Sequence, residues 1–134
     1  MMSKSSELIS TLDAAHERIE ALARQQVAGM ALPELVAAGV AEAAAMLRIM
    51  LAAEHKPYAS DADLLELWKT LVKGLPHWNT IRDNCRELVY YQNCLNAERA
   101  DALPAQPERM VIHTLRHIFL YMRSHAEQNH GGKV

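Results

Sequence analysis

Three arginines recur at heptad intervals near the end of the chain: Arg109, Arg116 and Arg123, with His113 and His117 between them. On a helix, residues seven apart return to nearly the same azimuth, so these side chains form one basic face opposite Val111, Leu115, Ile118 and Met122. Guanidinium forks pair with carboxylates and phosphates, so such a face could dock a carboxylate-rich protein or a phosphate backbone. The plainer reading is a solvated outer face whose arginine stems cover apolar neighbours. The whole chain carries 14 Lys and Arg against 16 Asp and Glu, a net charge of −2. A dedicated nucleic-acid binder usually shows a basic excess. Of the two docking readings an acidic protein partner is therefore preferred, and nucleic acid is not expected.

His113 and His117 stand four apart, one helical turn above another, which is the geometry of half a metal site. Two ligands alone bind weakly, and a third must come from elsewhere. His125 lies about 12 Å further along the helix axis, too far to join them. His16-x3-Glu20 has suitable spacing on another helix, but no Glu-x-x-His pair of the di-iron kind is present. A bundle that binds a metal or ligand through His113 and His117 is an alternative; the leading expectation is no metal and no cofactor.

Nucleophilic catalysis finds little support. Cys85 shares an apolar arc with Trp78, Ile81 and Leu88 and reads as a small core hydrophobe. Cys94 falls on the other side near Tyr90 and Glu87, with no cation on its own face to activate it. The two cysteines, nine residues apart on one helix, point to opposite sides and lie roughly 13 Å apart along the axis, so they cannot bridge. They lack C-x-x-C spacing, and a reducing, cytoplasmic setting is expected. No Gly-rich phosphate loop or G-x-S-x-G is present. Gln92 falls between Leu88 and Leu95 in the expected core arc, where a lone polar residue could fix register. Trp68 and Trp78 bracket a Gly-Leu-Pro corner and read as a plug at one end of the fold. Tyr90 and Tyr91 lie on an outer flank and are candidate contact residues.

Arg48 and His55, seven apart and so expected on one face of the second helix two turns from each other, are similar to the arginine-then-histidine active-site signature of HEPN ribonucleases. That resemblance covers these two residues only, and Ile49 stands where a polar residue commonly follows the arginine. It implies a helical protein that dimerises to pair two such sites, and it is carried as a further alternative.

The elements that must position these residues follow from periodicity and punctuation. Half of the 134 residues are apolar and 22% are charged, which fits one globular domain, 1–134, and excludes a disordered tail. Alanine and leucine dominate, and only five Gly and five Pro are present, favouring long helices over sheet. A first helix spans 6–30, with Leu8, Leu12, Ala15, Ile19, Leu22 and Met30 on one stripe. A second spans 33–55, opened by Pro33 and closed before Pro57. Ser60-Asp61-Ala62-Asp63 reads as a capping box opening a short third helix through Leu71, which Gly74 ends. A fourth spans 77–101 and a fifth 107–128, while 1–5 and 129–134 should fray. The expected fold is all-α, an antiparallel bundle of about five helices.

The second helix is the informative one. It is apolar almost all round, so it should be central, covered by its neighbours or by a second chain. Its charges Glu34, Glu42 and Arg48 argue against a membrane span, and no secretory signal is read at the start. Ala38, Ala41, Ala45 and Ala52 fall within one narrow arc, which permits close backbone approach. That arc is either a tight contact within the chain or the seam of a homodimer. A small non-enzymatic interaction module, dimeric and cytoplasmic, is the leading functional expectation.

Overall fold

The computed structural model describes residues 4–73 and 75–129. Among them are five α-helices, two short 3-10 turns and no strand, so the all-α bundle stands. Lys4–Val27 (α1) buries the anticipated stripe Leu8, Leu12, Ala15, Ile19 and Leu22. It stops at Gly29, whose φ of +100° is left-handed. There Met30 N–H bonds to Gln25 C=O at 3.0 Å and Gly29 N–H to Gln26 C=O at 3.1 Å. These two bonds satisfy carbonyls that the helix end would otherwise leave open.

Leu32–Ala53 (α2) begins with Pro33 in its first turn, where a missing N–H costs nothing. Its end repeats the termination of α1 with a different residue: His55 holds φ +57°, and Lys56 N–H bonds to Leu51 C=O at 2.9 Å. The cap of the third helix, Leu64–Val72 (α3), falls three residues later than expected. Its capping box is Asp63 with Glu66, not Ser60 with Asp63, with reciprocal bonds of 2.9 and 3.0 Å. Gly74, the expected stop, lies outside the described residues.

The expected fourth helix is divided. A 3-10 turn, Pro76–Ile81, precedes Arg82–Asn96 (α4), which ends at Glu98 in the left-handed region with Arg99 N–H bonded to Cys94 C=O. A second 3-10 turn, Ala100–Ala102, follows. The buried arc of α4 is Cys85, Leu88, Tyr91 and Cys94. Tyr91 therefore faces the core rather than an outer flank, Cys94 is buried outside the core cluster, and Gln92 is only half-buried. Burial, followed by the charge of Glu87, pushes the Tyr91 phenol up to about 12. Pro107–Asn129 (α5) runs one residue past its expected end and buries Val111, Leu115, Ile118, Met122 and Ala126. Of the residues expected to fray, 4, 5 and 129 are helical and the others lie outside the described residues.

The apolar helix is central: α2 packs against α1, α3, α4 and α5. Length and composition alone would let Leu32–Ala53 cross a membrane, at a mean hydropathy of 1.8. Half of that stretch is buried here by the four other helices. α2 comes close to α5 at Gly39, where an added Cβ would come within 2.7 Å of Val111 Cγ1. Contacts fix the relative directions of the helices. Arg116 meets Glu20 and Arg123 meets Asp13, so α1 and α5 run antiparallel. Gly39 meets Val111 and Glu54 meets His125, so α2 and α5 run parallel and end at the same pole.

Candidate functional site

The basic stripe turns toward α1 rather than away from the fold. Arg116 donates to both carboxylate oxygens of Glu20, Nε at 2.8 Å and Nη2 at 2.6 Å. Arg123 donates from Nε to Asp13 at 2.9 Å and pairs with Glu127 at 3.2 Å. The hydrogen-bonded Arg116 guanidinium holds the Glu20 carboxyl below its ordinary range. Two of the three guanidinium forks are thus engaged within the chain. Among the described residues the Arg109 guanidinium hydrogen-bonds only the neutral amide oxygen of Gln106, at 3.1 Å. His113 and His117 are exposed, and His117 accepts from the Asn84 amide. Periodicity places residues on a face but not the acids of the helix beside it, which is why this pairing was missed.

An open hollow of about 540 Å³ lies where the end of α1 meets the start of α5. Arg109, His113, Val27, Met110 and Ile112 are among the residues that line it. Val27 is 81% exposed there, unusually open for a β-branched apolar residue.

The small-residue arc of α2 faces outward. Ala41 and Ala52 are exposed, and Ala38 and Ala45 are half-buried. The tight contact within the chain falls instead on Gly39, roughly 100° round the helix from Ala38. Sequence reading centred on alanine overlooked that glycine. Ile49 is half-buried beside the arc, and Arg48 bounds it, with Nη2 donating to the Ala62 carbonyl at 3.1 Å.

Arg48 and His55 do not share a helical face. The helix ends at Ala53, and His55 occupies the left-handed position that terminates it, exposed to solvent. Arg48 meanwhile anchors the backbone of the segment leading to α3.

Among the described residues no third ligand-type side chain joins His113 and His117. His16 and Glu20 are 3.4 Å apart, but Glu20 is held by Arg116 and the His16 ring stacks on Phe119 at 4.6 Å. A different set converges instead: Glu54 at the end of α2, His77 in the 3-10 turn and His125 near the end of α5. Their ligand atoms all lie within 4.8 Å of one another. Spacing relates His125 only to residues of its own helix, and the three elements give no signal that would connect them. Trp78, fully buried against this cluster, plugs the pole of the bundle as its type suggests.

No protein-family model matches the chain, and no curated protein or solved structure matches it.

Proposed function

We propose that this chain is a non-enzymatic interaction module that pairs with a second copy of itself through the open face of α2. The observation that carries this reading is the outward placement of Ala38, Ala41, Ala45 and Ala52 on the most apolar helix. A helix that apolar normally buries its whole circumference, and four neighbours still leave this arc uncovered. Alanine side chains let two helices approach at the short end of the usual 8–10 Å range (roughly). A two-fold dimer would set each arc against itself, the commonest arrangement among soluble homo-oligomers. Single-cysteine pairing tests it. In Ala45→Cys the added thiol is meant to meet its own copy across the axis, while the native Cys85 and Cys94 are buried. Mild oxidation should give a disulfide-linked dimer; Asp61→Cys, on an exposed loop, should not.

A second reading concerns the hollow. Arg109 and His113 beside the exposed Val27 favour an extended segment carrying a carboxylate next to an apolar side chain. Arg109→Gln with His113→Gln should then release a co-purifying acidic partner, whereas Arg116→Gln should act mainly on stability. In cells this chain would serve as an adaptor, assembly factor or complex subunit of the cytoplasm.

A further inference from the structure

Glu54, His77 and His125 are brought together from three elements far apart in sequence, and nothing in the dimer or the hollow uses them. We propose that they form a binding site for one Zn²⁺ ion. Zinc bonded to imidazole nitrogen and carboxylate oxygen at about 2.0–2.1 Å places tetrahedral ligand atoms about 3.4 Å from each other. His125 Nε2 already lies 3.5 Å from Glu54 Oε1, and all three ligand atoms fall within 4.8 Å. Two imidazoles and one carboxylate suit zinc better than calcium or magnesium, which take oxygen ligands.

The surroundings favour a cation. Because α2 and α5 run parallel, the negative ends of both helix dipoles reach the same pole. Neither helix has a basic residue in its last turn. The Glu54 carboxylate adds a full negative charge at the end of α2, where the dipole disfavours it. A divalent ion at this pole is favoured by both helix ends.

The pole is also built to hold the ligands. The Trp78 ring packs at 4.4 Å from the His125 ring and 5.1 Å from that of His77, closing one side with apolar surface. Tyr121 donates its hydroxyl proton to the His77 carbonyl and so ties the 3-10 turn to α5. His77 is exposed, which leaves a path for the ion and room for water as fourth ligand. The two imidazoles are stacked, 5.1 Å apart and 12° from parallel. To bind the same ion as His125 and Glu54, the exposed His77 ring has to rotate out of this stack. Three protein ligands with one open position make the site moderate in strength, and metal binding staples the end of α2, the turn and α5 together. The inference departs from the expectation of no metal, which rests on His113, His117, His16 and Glu20 rather than on these three residues.

The test uses the full chain expressed without a polyhistidine tag, stripped with EDTA and titrated calorimetrically with zinc chloride. One ion per chain should bind, and the melting temperature should rise with zinc. His77→Ala and Glu54→Gln should each weaken binding roughly tenfold or more, and both change exposed or partly exposed side chains, so folding should survive. His113→Ala/His117→Ala should bind as the wild type does. Cobalt substitution should give the intense visible bands of a four-coordinate site, lost in His125→Ala. Absence of saturable binding overturns the proposal. So does wild-type affinity in both His77→Ala and Glu54→Gln, or a loss confined to the His113/His117 variant.

Discussion

Arg116 on α5 grips Glu20 on α1 through both carboxylate oxygens, and seven residues later Arg123 grips Asp13, seven residues earlier on α1. The two rungs keep step because the helices are antiparallel and each heptad returns to the same face. They set the register of α1 against α5. They also give Arg116 and Arg123 a structural role that the apolar pattern of α5 does not reveal.

Arg116→Gln should therefore lower stability modestly, by about 0.5 kcal/mol, because the pair is partly exposed and screened by solvent. The contribution has a pH signature. Glu20 titrates below its unfolded value, held there chiefly by the Arg116 hydrogen bond. A depressed carboxylate stabilises the fold above its unfolded pKa, and that stabilisation disappears as pH falls through the folded pKa. Urea midpoints of wild type and Arg116→Gln should differ at neutral pH and converge in acid. A gap that persists unchanged below about pH 3 would contradict the pairing.

The helix ends offer a stabilising substitution. His55 and Glu98 hold φ of 57°, the left-handed region that glycine occupies without steric cost. His55→Gly and Glu98→Gly should each raise stability by roughly 0.5–1 kcal/mol. Thermal unfolding of the two variants checks this directly. A loss of stability in both would mean that these side chains make contacts worth more than the strain.

Gly39 predicts the opposite sign. Alanine there gains up to about 1 kcal/mol in helix propensity. Its Cβ must however intrude to 2.7 Å from Val111 Cγ1, a short, stiff and fully buried side chain. Overpacking of this kind costs about 1–3 kcal/mol, so Gly39→Ala should be net destabilising. A melting temperature equal to or above that of wild type would show that α2 and α5 can separate at little cost.

Burial raises the Cys85 thiol to about 12, so almost none of it is thiolate at neutral pH. Native protein should react with a thiol reagent at Cys85 only as fast as it unfolds, and denaturant should expose the full reactivity. Rapid labelling of Cys85 in the folded state would contradict the placement of α4.

What the sequence made legible was whatever repeats within one element. The stripe of α1, the core arc of α5 and the exceptional apolarity of α2 all follow from a 3.6-residue period. The misses arise where a neighbouring element decides. Tyr91 and Cys94 are buried because α2, α3, α5 and the Ala100–Ala102 turn all pack against α4, covering more of its circumference than one apolar arc. His55 and Glu98 end helices in a conformation that their residue types do not announce. Glu54, His77 and His125 meet only because α2 and α5 finish at the same pole, which no local spacing encodes.

Mass in solution is the most direct measure of the dimer. Light scattering of the wild type at micromolar concentration should give about 30 kDa, twice the 15.0 kDa chain. Ala41→Glu places a carboxylate on the exposed side of the arc on both copies, where like charges meet and lose water. Its mass should fall to that of one chain, with circular dichroism and melting temperature measured on the monomer still those of a folded helical protein. A monomeric wild type, or an Ala41→Glu variant that remains dimeric, would contradict pairing through α2.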